Sequence, residues 1–218
     1  MHYINLQIDD VKDFVVTDTK IKAQPATRRG RPRAFDREEA LTKAQALLHA
    51  KGYDALSVAD LTQALGINPP SFYAAFGSKL ELFYEALQRY EKTEGLDVDT
   101  ALAPGTSLSD GVARLLRYAA DAYASGDACG CMVIEAARGT ADSAAGEKAR
   151  ERMEASRSYI HQRISGLDKD NADLASDYVM MSLAGLSASA RNGMPTARLR
   201  VMAAIAAEGL KSQLESAA

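Results

Sequence analysis

The chain has 218 residues, 47% of them hydrophobic and 25% charged, ordinary values for a globular protein with one large core or two small ones. No apolar run approaches the roughly 20 residues that cross a bilayer, and Asp9, Asp10, Asp13 and Asp18 stand where a secretory signal would be basic and apolar. Two cysteines exclude a disulfide scaffold and predict a reducing, cytoplasmic setting. A net charge of −3 looks wrong for a nucleic-acid partner, but Lys20, Lys22, Arg28, Arg29, Arg31 and Arg33 form a run without an acid. Attraction to phosphate depends on potential within a Debye length of about 10 Å rather than on the whole-chain sum. That run is either a soluble tail or a basic arm, and the motif that follows favours the arm. Residues 1–29 are read as a flexible basic extension with no assigned structure.

The first predicted helix opens at Asp36, with Glu39 completing a capping box. Ala40, Leu41, Ala44, Leu47 and Leu48 form its buried stripe, and Gly52 closes it. Ser57 caps a second helix with Asp60 in the reciprocal position, and Leu61 and Leu65 share one face. Gly66 supplies the permissive backbone for a tight turn. Pro69 or Pro70 then opens a third helix, in which Phe72 and Phe76 bury one side while Ser71, Tyr73, Ala74 and Ala75 take the other faces. A short helix held by its apolar side, with small and hydroxyl groups outward, suits a B-DNA major groove. Ser78 and Glu81 start a fourth helix whose stripe is Leu82, Phe83, Ala86, Leu87 and Tyr90.

The segments GRPRAFD, ALTKAQALLHAKGYDALSVADL, GINPPSFYAAFGSK and LFYEAL, from Gly30 to about Lys92, resemble the TetR family of bacterial transcriptional regulators. The resemblance implies an all-α fold, with a helix-turn-helix DNA-binding domain over residues 30–93 and a helical effector-binding and dimerisation domain over 94–218. It also implies phosphate contacts from Tyr73 and Lys79, the latter beside free backbone N–H groups at a helix start. Ser57 is a further candidate for the DNA backbone. Base reading falls to Asn68, Pro70, Ser71 and Ala74, with Arg28, Arg29, Arg31 and Arg33 in the arm. The helix lacks Arg, and Asn68 is its one amide, so bidentate base contacts are scarce. Specificity is expected to lean on thymine methyls, the arm and DNA shape. The competing readings are a surface aromatic for Tyr73, a solvated lysine for Lys79 and simple packing for Ala74 and Ala75.

After Lys92, GLDVDTALAPGTSLSD reads as an interdomain linker. Helices follow at about Leu108–Tyr123, Met132–Ala137, a charged segment carrying Met153, Ile160 and Ile164, Ala172–Arg191 and Thr196–Ser212. The last two are rich in small residues and are expected to pair with their copies in a homodimer. Dimerisation also follows from the motif, since one short helix reads too few base pairs and two about 34 Å apart read a palindrome. Leu115, Tyr118, Ala119, Tyr123, Cys131, Met132 and Met181 are candidates to line an effector cavity, against the competing reading that they are core.

Cys129 and Cys131 lack the additional ligands a zinc site needs, and His2, His49 and His161 lie far off in sequence. They are either small buried residues at a helix entry or an electrophile or oxidant sensor. No glycine-rich phosphate loop, nucleophile–His–Asp set or metal cluster is apparent, so neither a cofactor nor an enzyme is expected. The leading expectation is a repressor that binds double-stranded palindromic operator DNA until a small-molecule effector releases it. A thiol-based sensor and a non-specific architectural DNA-binding protein are the alternatives.

Overall fold

Residues 35–126, 128–139 and 144–217 are described by a computed structural model, and every regular element among them is helical. The arginine arm, Arg28 to Arg33, lies outside the described residues. Helix α1 (Arg37–Lys51) is capped by Asp36, whose carboxylate accepts from the Glu38 and Glu39 N–H groups at 2.9 and 3.1 Å. The Glu39 side chain does not turn back to complete the predicted box. Instead it meets Lys43 at 2.7 Å, an exposed pair one turn along. Helix α2 (Val58–Leu65) carries the predicted reciprocal box of Ser57 and Asp60. It ends at Gly66, whose φ of +68° is the left-handed conformation that reverses the chain into α3 (Pro69–Phe76). Helix α4 (Lys79–Thr93) starts at Ser78.

These four helices close over Leu41, Leu48, Leu61, Phe72, Phe83 and Leu87, all nearly inaccessible. The core is not theirs alone. Met132 and Val133 of α7 (Met132–Ala137), with Ala145 and Ala149 of α8 (Ala144–Ser165), complete it. The stretch expected to be a linker is packed as well. It forms the single turn α5 (Val98–Ala101), with Ala101 and Leu102 buried. Its glycines and proline hid Val98, Ala101 and Leu102, which pack into the same core as α6 (Leu108–Tyr123), Ala101 and Leu102 lying beside Gly111.

A second core joins α6 to α9 (Ala172–Arg191) and α10 (Thr196–Ala217) through Leu115, Leu116, Val179, Leu183, Leu199 and Leu210. Helix α8 spans both cores, with Ala145 and Ala149 in the first and Ile160 and Ile164 in the second. Some small residues of α9 and α10 pack within the chain: Ala190, Ala203 and Ala207 are buried, and the Tyr178 hydroxyl donates to the Ala206 carbonyl at 2.7 Å, whereas Gly185, Ala204 and Gly209 are exposed. Other, larger apolar residues of the two helices face out. Met181, Val201 and Ile205 are 64%, 53% and 60% exposed. Among the described residues no helix is long and apolar enough to cross a membrane.

Candidate DNA interface and effector cavity

Helix α3 is anchored by Phe72 and Phe76, whose rings lie 5.7 Å apart in the first core. A helix of eight residues pinned along one stripe must present the opposite stripe, and Pro70, Ser71, Tyr73 and Ala74 are all exposed. Tyr73 is half exposed, its ring edge-on to Phe72. Asn68 caps the helix, its side-chain oxygen accepting the Ser71 N–H at 2.8 Å, so that capping uses the oxygen and not the amide N–H groups. The Ser57 hydroxyl is committed to its cap: it donates to Asp60 at 2.6 Å and accepts the Asp60 N–H at 3.1 Å. Lys79 is not an ordinary solvated lysine. Its ammonium lies 3.9 Å over the Tyr53 ring, where partial burial lowers its pKa. Such a cation–π contact is worth about 0.5–2 kcal/mol.

Arg37 is a positioning residue that the sequence did not reveal. Its Nε donates to the Ala75 carbonyl at 3.0 Å, its Nη2 reaches both Glu85 oxygens at 2.7 Å, and its guanidinium lies over Phe76. One side chain thus ties the start of α1 to the end of α3 and the middle of α4. No periodicity argument finds such a residue, because its partners are a backbone carbonyl 38 positions away and an acid 48 away.

A cavity of about 330 Å³ lies between the two cores. Of the predicted lining residues it contains Tyr123 and Cys131. Leu115 and Ala119 are instead fully buried in the second core, and Tyr118 packs against that core. Met132 belongs to the first core. Met181 points outward, and its neighbour Met180 takes the cavity position, because one residue rotates about 100° around a helix. Tyr90, Val133, Ile134, Met153 and Leu183 complete most of the apolar wall, while Glu91 and Arg152 pair across it from α4 and α8.

Cys131 lines the cavity as the N-cap residue of α7. Burial pushes its pKa up, while the Val133 and Ile134 N–H groups and the Tyr90 and Tyr123 hydroxyls oppose that shift by hydrogen bonding to the sulfur. Burial likewise raises both phenols above their usual range, so they remain neutral donors. The thiol at the helix start is therefore Cys131, whereas Cys129 lies two residues outside it. Among the described residues no three His, Cys, Asp or Glu side chains gather as a metal site.

The exposed second helix of a tight helix-turn-helix, set on a larger helical body, defines a DNA-binding regulator. A family model described as "Bacterial regulatory proteins, tetR family" matches residues 40–86. The HTH-type transcriptional repressor BdcR of Escherichia coli K12 is 38% identical over 187 residues, covering 85% of this chain and 94% of its own. ComR, an HTH-type transcriptional repressor of the same organism, is 50% identical over 62 residues, 28% of this chain and 30% of its own. A solved structure of a cysteine-substituted TetR family regulator CifR, complexed with 26-base-pair operator DNA, is 36% identical with a TM-score of 0.73, covering 82% of this chain and 98% of that one. The chain belongs to the TetR family of bacterial transcriptional regulators, and it is a regulator rather than an enzyme.

Proposed function

We propose that the protein is a repressor that binds a palindromic operator as a homodimer and leaves it when a small molecule fills the cavity beside Tyr90. The observation that carries this is α3: Phe72 and Phe76 buried, Ser71, Tyr73 and Ala74 offered to a groove. Tyr73 and Lys79 hold the DNA backbone, and Asn68, Pro70, Ser71 and Ala74 meet base edges. Ser57 contributes through the N-terminus of α2, since its hydroxyl is already used. The arginines 28, 29, 31 and 33 act as the arm. The dimer forms through the apolar stripe of Met181, Val201 and Ile205, and the expected location is the bacterial cytoplasm. BdcR and ComR are named as repressors and CifR is complexed with operator DNA, which supports the same reading here.

The cavity's chemistry narrows the effector. Its wall is mostly apolar, its single ion pair is internally satisfied, and its remaining polar groups are neutral hydroxyls and a thiol. An uncharged, mainly apolar molecule fits such a wall. To release DNA it need only favour the unbound arrangement by about 1–3 kcal/mol. Tyr73→Ala and Lys79→Ala are each expected to weaken binding to operator and random DNA alike while the protein stays folded, Lys79→Ala losing no more stability than the about 0.5–2 kcal/mol of its contact with Tyr53. Fluorescence anisotropy measures both affinities. Undiminished affinity in both variants would remove these residues from the interface.

A second reading starts from the position of Cys131, which lines the cavity at the N-cap of α7, where neighbouring donors offset part of the burial that raises its pKa. Donors so arranged stabilise a thiolate as it forms, which suits attack on a carbon electrophile. On this reading N-ethylmaleimide adds to Cys131 and releases the operator, and Cys131→Ser keeps operator binding but loses the response. Release that persists in Cys131→Ser excludes it.

A further inference from the structure

The segment just before α7 is gripped from two sides. On one side stands α1 of the DNA-binding unit: His49, buried, places Nε2 3.1 Å from the Gly130 carbonyl. On the other stands α9. The Cys131 N–H donates to the Ser187 hydroxyl at 2.9 Å, and that hydroxyl donates to Glu135 at 2.6 Å. Gly130 itself has a φ of +88°, and a Cβ there would meet the Ser187 carbonyl and hydroxyl at 3.1 Å, so the strand of chain lies flush on α9.

Arg191, the last residue of α9, closes the knot. Its guanidinium donates to the His49 carbonyl at 2.8 Å and the Ala50 carbonyl at 3.0 Å, and approaches the Cys129 carbonyl at 3.5 Å. The first two are terminal carbonyls of α1 that have no partner within their own helix. An arginine fork is the side chain suited to taking both at once. The His49 ring meets the Tyr90 ring edge-on at 5.2 Å, and Tyr90 walls the cavity beside Cys131.

We infer that Arg191 and His49 are positioning residues for DNA binding: through residues 129–131 they make the direction of α1 depend on how the cavity wall is arranged. A molecule that displaces Tyr90 or Cys131 must move the Gly130 carbonyl, and with it the end of α1 that holds the helix-turn-helix. The same guanidinium reports that movement to α9, whose outer face carries Met181. Burial lowers the His49 pKa and the Arg191 cation adds to the shift, outweighing the Gly130 hydrogen bond, Glu94 and Glu135, which raise it. The ring is therefore a neutral donor, and the contact does not rely on a charge. This rests on the protein being a DNA-binding regulator with its effector site in the cavity.

Coupling is reciprocal, so it is readable without the effector: operator binding must change the behaviour of residues 129–131. The experiment uses the full chain with Cys129→Ser, leaving Cys131 as the one thiol, and operator selected from random-sequence DNA. The initial rate of Cys131 alkylation by iodoacetamide is followed by mass spectrometry with and without saturating operator. A buried thiol reacts through local opening, and the DNA-bound arrangement is expected to slow it by about five-fold or more. In Arg191→Gln the operator is expected to leave the rate within about two-fold, while Arg191→Lys, able to hold one carbonyl, falls between. Protection that merely reflected global stabilisation by bound DNA would survive in Arg191→Gln. A rate indifferent to operator in the parent, or equal protection in Arg191→Gln, overturns the inference. Should Arg191→Gln fail to fold, His49→Leu is read in the same way, and the parent comparison alone remains decisive against it. Failure to select any operator would instead sink the regulator reading itself.

Discussion

Met181→Glu combined with Ile205→Glu is expected to yield a monomer that has lost more than about 100-fold of its operator affinity. These side chains are 64% and 60% exposed, on neighbouring helices whose opposite faces fill the second core. Val201, 53% exposed one turn before Ile205 on α10, adds to this exposed apolar surface, which a monomer has no internal reason to keep. A two-fold axis through the patch would place each introduced carboxylate in the interface twice, and burying unpaired charge costs several kcal/mol per ion. One half-site read by one α3 then has to suffice, and the gain from linking two half-sites disappears. Light scattering reports the mass and anisotropy reports the affinity. Retention of a dimer of unchanged affinity would place the interface elsewhere.

Phe72→Ala is expected to destabilise the protein by about 3–5 kcal/mol. The ring is wholly buried and is the anchor of an eight-residue helix. Helices this short are not stable by themselves, so α3 persists only through its packing. Removing the ring takes away transfer energy and leaves a cavity that Phe76, edge-on to Phe35 on its other side, cannot readily fill. Denaturant unfolding gives the loss directly, and operator affinity should fall with it because the recognition helix is no longer held. Phe72→Leu keeps most of the volume and is expected to cost less than half as much. Equal stability in Phe72→Ala and the parent would contradict the burial of α3 by this residue.

Much of the architecture was written in local signals. The caps Asp36, Ser57 and Ser78, the closing Gly52 and Gly66 and the Phe72–Phe76 spacing each act within one turn of chain, so they are legible without a fold. The limits of the later helices followed from their apolar period in the same way, with α10 running to Ala217 rather than stopping near Ser212. What was lost depends on partners distant in sequence. Met180 and Met181 differ only in which way a helix is rotated, and the neighbours decide that. Tyr90 was legible as a buried residue of α4, but not as part of a cavity wall shared with Cys131. Arg37 and Arg191 were invisible because their acceptors are backbone carbonyls, which leave no trace in side-chain identity, and, for Arg37, an acid 48 residues away. The segment at 95–110 misled for a different reason: Gly95, Pro104 and Gly105 signal turns truthfully, yet turns between Val98, Ala101 and Leu102 still pack.

The most direct measurement of the central claim is selection of random-sequence DNA by the purified protein, followed by the mass of the complex with the winning duplex. An outward-facing α3 borne by a symmetric pair predicts enrichment of an inverted repeat, its half-sites about one helical turn apart and occupied by two chains. Enrichment of nothing at low salt, or a single chain bound with no preference for symmetry, would contradict it.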